Sequence, residues 1–117
     1  MNKIPEIVYT CSHCQETKIC SDFKVNLLDF VRRLSFQPIF TSGYRCVIHN
    51  AAEGGSAVSA HMKGKAADIA YSNMHQLFEI IDSALKSGFN RIFLYKTKDI
   101  IHIDADSSLP FPRFGIY

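Results

Sequence analysis

No stretch of this chain approaches the ~20 consecutive apolar residues that a bilayer-crossing helix needs, and neither sign of charge is in excess. Thirteen Lys and Arg stand against eleven Asp and Glu, a formal net charge of +2. That balance removes the electrostatic case for a nucleic-acid or membrane-surface partner, so neither nucleic-acid binding nor membrane insertion is expected. The opening residues, MNKIPEIVYTC, have one early lysine, but a proline and a glutamate follow without a continuous apolar run. They do not read as a secretory signal, and synthesis and residence in the cytoplasm are the expectation unless another device releases the chain. A second C-x-x-C pair is also missing. Cys11 and Cys14 form one such pair, but their partners for a zinc site would be Cys20 and Cys46 at irregular spacing. A structural zinc on Cys11, Cys14, Cys20 and Cys46 is therefore weakly signalled, and free, partly buried thiols are the preferred reading. On the same grounds a nucleic-acid-binding zinc protein built on these cysteines is disfavoured.

What remains is an ordinary globular composition. The 117 residues are 47% hydrophobic, enough for one core and not two, so a single domain over residues 1–117, acting as a monomer, is expected. Residues 1–22 read as an irregular, polar, cysteine-bearing segment. From residue 25 to 34 the apolar positions Leu27, Leu28, Val31 and Leu34 recur at helical spacing. Pro38 then forces an extended start, and PIFTSGY reads as a strand that Gly43 ends. Residues 44–58 lack periodicity and hold Gly54–Gly55, which reads as a long loop, a feature often functional in a small domain.

Residues 65–71 alternate as a strand, with Ala66, Asp68 and Ala70 on one face and Ala67, Ile69 and Tyr71 on the other. Residues 73–86 form the clearest helix, with Leu77, Phe78, Ile81, Ala84 and Leu85 as its apolar stripe, a Ser72 or Asn73 cap and Gly88 beyond its end. On it, His75 and Glu79 read as solvated. RIFLYK and IIHIDAD follow as two strands joined by a short turn. In the second, Ile100, His102 and Asp104 share a face opposite Ile101 and Ile103. The proline-bearing tail, LPFPRFGIY, reads as irregular and laid along an edge. The order of elements predicts an α+β fold: a small, mainly antiparallel sheet with helices on one face and an open cleft on the other. Asp68 and His102 would then meet on the open face.

SAHMKGKAADI places His61 and Asp68 seven residues apart around Gly64. A histidine and a carboxylate folded back onto one point suit zinc, and His102 is the candidate third ligand. Taken together, SGYRC…HN…GG…S-x-H-x-x-G-x-A-x-D-I, then a helix, then GF-x-R-I-x-x-Y…IH-I-D resembles the zinc D-alanyl-D-alanine carboxypeptidase family, which shares a fold with the hedgehog signalling domain. The likeness runs from about residue 41 to 104 and is nearest to the short phage and prophage members.

The resemblance implies a zinc metallopeptidase that hydrolyses peptidoglycan stem peptides, as a D,D-carboxypeptidase or an L-Ala–D-Glu endopeptidase, delivered as a phage lysin or virion component. It implies one zinc on His61, Asp68 and His102 with a fourth position open, where the pKa of water falls to ~7. Arg45 is implied to hold the substrate and stabilise the oxyanion, with Tyr44 and Ser59 beside it and Asn50, Gly54 and Gly55 shaping the loop. His49 reads as structural to that loop and near enough to line the cleft. The general base is Asp99, three residues before His102, or Asp104, with Asp99 slightly preferred although strand parity sets it opposite His102. Asp104 could instead orient Arg45 or a ligand histidine. The alternative function is a catalytically silent, zinc-containing module of the same fold that binds a cell-wall peptide.

Overall fold

The computed structural model describes residues 2–56 and 58–117. Met1 and Ala57, which the sequence assigned to the irregular N-terminal segment and the long loop, lie outside the described residues. Five strands, β1 (Ile39–Ser42), β2 (Ala66–Ala70), β3 (Arg91–Leu94), β4 (Ile100–Asp104) and β5 (Arg113–Ile116), form one sheet in the order β1-β2-β4-β3-β5. Every pairing is antiparallel except β3 with β5, which is parallel. The expected α+β architecture is present, with a mixed rather than purely antiparallel sheet. The tail is the correction: both prolines precede residue 113, so the run RFGI is free to join the edge of β3.

Helices α1 (Ser21–Arg33) and α3 (Met74–Lys86) cover one face of the sheet. The core between them joins Phe23, Leu27, Phe30 and Val31 of α1, Ile80 and Ala84 of α3, and Ala67, Ile69, Ile92, Ile101 and Ile103 of the strands. Alternation along β2 and β4 accounts for this: Ile69 pairs with Ile101 and Ala67 with Ile103, so one side of both strands is wholly apolar. Asp68 pairs with His102 and Ala66 with Asp104 on the other side.

α1 starts earlier than the periodicity predicted, because Phe23 extends its buried stripe by a turn. Leu28, assigned to that stripe, is 49% exposed while Phe30 is fully buried. The stripe of α3 is rotated in the same manner. Ile80, Ser83 and Ala84 are buried whereas Phe78 and Leu85 are exposed. Asn73 caps α3 by accepting the Gln76 amide at 2.9 Å. Glu79 is not simply solvated, since its carboxylate accepts from the Ser35 amide and, at 2.9 Å, from the Ser35 hydroxyl.

Residues 44–58 are not all loop: α2 (Val47–Ala52) is a short helix that starts at Cys46, whose sulfur accepts the His49 amide. The N-terminal segment carries a 3-10 turn at Glu6–Val8 and a single antiparallel bridge between Thr10 and Thr17. Among the described residues, no helix is long and apolar enough to cross a membrane.

Candidate metal centre on the open face

His61 lies in a 3-10 turn, Ala60–Lys63, that Ser59 opens by accepting the His61 amide at 3.2 Å. Gly64 closes it with φ +67, a left-handed conformation that glycine adopts without strain. The turn feeds β2, so Asp68 comes up beside the imidazole. His61 Nε2 stands 3.2 Å from His102 Nδ1 and 3.3 Å from Asp68 Oδ1, and His102 Nδ1 stands 3.0 Å from the same carboxylate oxygen. All three residues are buried.

The outer nitrogens of both rings are committed. His61 Nδ1 donates to the Gly43 carbonyl at 2.7 Å, and His102 Nε2 donates to Asp104 Oδ2 at 2.6 Å. With those hydrogens fixed outward, the neutral rings turn their lone pairs inward, at each other and at a carboxylate. Such an arrangement is repulsive unless a cation occupies the centre. Two imidazoles and a carboxylate, each ring oriented by an outer acceptor, are a donor set that fits zinc with a coordination position left open.

Charge on the ligands follows from the same contacts. Without an ion, an inward ring hydrogen takes its place: burial pushes the Asp68 carboxyl up, but hydrogen bonds donated by His102 and His61 outweigh it and bring it well below the usual range. Burial lowers His61. For His102 burial also lowers, yet Asp104 and Asp68 together raise it.

Arg45 reaches this centre from the segment after β1. An irregularity in the β1–β2 register between Phe40 and Ser42 sets Ser42 opposite Asp68. Ser42 Oγ accepts from Arg45 Nε at 2.9 Å, and Arg45 Nη2 donates to Asp68 Oδ2 at 3.0 Å. Gly43 between them admits no side chain, because a Cβ there would lie 2.3 Å from the Val8 backbone. A cleft of about 800 Å³ opens over the centre, and Tyr44, Arg45, His49, Ser59, His61, Asp68, His102 and Asp104 are among the residues that border it.

The two carboxylates considered for proton transfer are placed differently. Asp104 is buried with both oxygens engaged: Oδ2 by His102, and Oδ1 by Arg91 Nε at 2.9 Å and the Asp106 amide at 3.0 Å. Asp99 is exposed in the turn between β3 and β4, outside the cleft lining, with its backbone carbonyl accepting the Tyr71 amide.

Sequence reasoning quoted Ser42, Arg91 and Tyr95 within its motifs without giving them a role, and it missed the Gly43 carbonyl; the Tyr95 hydroxyl lies 3.4 Å from Asp68 Oδ2. The alternation Arg91, Phe93, Tyr95 was a usable signal for two of these, since Phe93 pairs with His102 in register. Of the cysteines, Cys11, Cys14 and Cys46 come together, with all three sulfurs within 4.8 Å of one another. Cys20 stands apart, flanking α1 and packing against the core.

A three-ligand, histidine- and aspartate-lined centre at the base of an open cleft is the layout of a hydrolytic zinc protein. The profile of the Peptidase M15 family matches residues 3–104, and the chain belongs to that family of zinc metallopeptidases that act on peptidoglycan. No curated protein matches the chain.

Proposed function

We propose that the chain hydrolyses a peptide bond in the stem peptides of peptidoglycan, with one zinc held by His61, Asp68 and His102. The observation that carries this reading is the convergence of those three donors, with Arg45 beside them, under a cleft wide enough for a peptide. A zinc ion bound there would polarise the scissile carbonyl and make water nucleophilic near neutral pH.

The chain's own residues do the rest. Gly43 and Asp104 fix the two imidazoles, so no reorganisation is needed when substrate arrives. Arg45 spends Nε and Nη2 on Ser42 and Asp68, and Nη1 is left for a substrate carbonyl or carboxylate. Tyr44 and Ser59 border the path of the peptide. Burial and the negative charge of Asp68 raise the Tyr95 phenol, which stays protonated and can donate to the developing oxyanion.

Asp104, engaged on both oxygens, serves as a positioning residue for His102. Asp99 is assigned the general base: Lys98 and Ile100 on either side of it border the cleft, and the assignment requires their turn to rotate so that its carboxylate reaches the rim. The same placement supports a second reading, a silent module that keeps zinc and binds wall peptides without cutting them. The remaining elements of the proposal are a monomer delivered to the wall as a lysin or virion component.

Zinc content and amino-group release from purified peptidoglycan test this on the wild type, His61→Ala and Asp99→Asn. His61→Ala should lose one zinc and all activity, while Asp99→Asn should keep zinc and lose kcat by ~10²–10⁴-fold. Free D-alanine would identify a carboxypeptidase, and new D-glutamate amino groups an endopeptidase. A wild-type protein that holds zinc in the cleft yet cleaves nothing would establish the silent module instead.

A further inference from the structure

We propose that Cys11, Cys14, Cys46 and His49 form a second, closed zinc site that fastens the N-terminal segment to the wall of the cleft. The three sulfurs lie within 4.8 Å of one another, close to the ~3.8 Å edge of a tetrahedron built on Zn–S bonds of about 2.3 Å. All four cysteines are free thiols, and three clustered thiols cannot all be satisfied by one disulfide.

The local backbone suits thiolate ligands. Residues 11–16 turn back on themselves, with the Cys11 amide on the Glu16 carbonyl and the Gln15 amide on the Cys11 carbonyl, both at 2.8 Å. Gln15 takes φ +65 to make that turn. The Cys46 amide donates to Cys11 Sγ and the His49 amide to Cys46 Sγ, each at 3.4 Å, and these bonds stabilise negative sulfur.

His49 stands beside this group, outside the set of atoms that lie within 4.8 Å of one another, and its contacts make it the choice for the fourth ligand. His49 Nδ1 faces Cys11 Sγ at 3.4 Å while Nε2 lies 3.4 Å from Glu53 Oε1. A proton held on Nε2 by that carboxylate leaves Nδ1 as the donor, the pattern of a metal-bound histidine. His13 comes to 3.7 Å of Cys46 Sγ, but no carboxylate contact orients its ring among the described residues.

A separate observation asks for such a site. Residues 12–19 are exposed throughout and contribute nothing to the core, yet they make a tight turn and a bridge. A bound ion supplies the anchor that apolar side chains do not. It would also reach the cleft through the chain, because Cys46 directly follows Arg45, and α2 ends at Ala52, followed by Glu53 and Gly54 on the cleft wall.

Metal analysis and the cobalt(II) spectrum test the site without reference to activity. The wild type should hold two zinc ions per chain. His61→Ala/His102→Ala should keep one, and its cobalt form should keep the thiolate-to-metal charge-transfer band. Cys14→Ser, at an exposed position whose fold can be checked by circular dichroism, should keep one zinc and lose that band. His49→Gln should shift the band and His13→Gln should not.

A wild type with a single zinc that leaves with His61 would overturn the site. So would a Cys11–Cys14 or Cys11–Cys46 disulfide found by mass spectrometry of the native protein. A band that responds to His13→Gln and not to His49→Gln would overturn the assignment of the fourth ligand.

Discussion

Successive residues of β4 serve opposite ends. Ile101 and Ile103 disappear into the core beneath α1 and α3, while His102 and Asp104, one residue away on either side, build the centre under the cleft. Both faces are almost fully buried, yet they are held by different forces. The apolar face rests on area removed from water and on close packing, which are tolerant of exact direction. The polar face rests on hydrogen bonds between charged groups, where each partner is oriented by the next: Arg91 holds Asp104, Asp104 holds His102, and His102 meets Asp68. The lesson is that stability and site geometry reside in one strand but in separable sets of side chains.

Substitutions on the two faces should therefore separate stability from metal binding. The largest effect is expected from Ile103→Ala, which opens a cavity in the helix-covered face and should cost about 2–5 kcal/mol in urea unfolding. Its zinc affinity, measured well below the unfolding midpoint, should be little changed. A cost below about 1 kcal/mol would mean that the face is not close-packed.

Asp104→Asn should do the reverse. It leaves the apolar face intact but weakens the acceptor that fixes His102, so zinc affinity should fall by ~10–100-fold in competition with a chromogenic chelator. Unchanged affinity would show that the His102 ring is held by packing alone.

The smallest effect belongs to Asp106, beside the end of β4. Burial pushes its carboxyl up, but Lys63 at 2.7 Å and the amide and hydroxyl of Ser108 bring it below the ordinary value. A folded pKa below the unfolded one gives stability that is present above about pH 3.9 and is lost as the pH falls through the lower folded value. Asp106→Asn should flatten that acid limb in urea titrations at pH 6 and pH 3. An equally steep loss in the variant would assign the limb to other carboxylates.

Much of this arrangement was legible because strands alternate. The assignment of Asp68 and His102 to one face, and of Ile69, Ile101 and Ile103 to the other, follows from parity alone. The helices were found but rotated, since Leu77, Phe78, Ile81, Ala84 and Leu85 satisfy helical spacing as well as Leu77, Ile80, Ile81 and Ala84 do. Only the sheet beneath decides which arc is inside. α2 was missed because six residues are too few to show a period. β5 was missed because its partner β3 is parallel and distant in sequence, and no hairpin signal announces such a pairing. Contacts made through a backbone carbonyl, like that of Gly43 with His61, leave no mark in residue identity. The grouping of Cys46 with Cys11 and Cys14 was hidden by 31 intervening residues, whereas Cys20, nearer in sequence, was drawn off to the flank of α1.

Asp68 and His102 face each other directly across β2 and β4, so an ion shared between them reads the alignment of the two strands. A slip of one residue would carry one ligand into the apolar layer, and a slip of two would part the pair by a further ~7 Å. The alanines at 66, 67 and 70 have too little bulk to forbid either error by steric fit. A metal ion held there would reward the one alignment that closes the site, and in a refolding chain it would act as a proofreader of strand pairing.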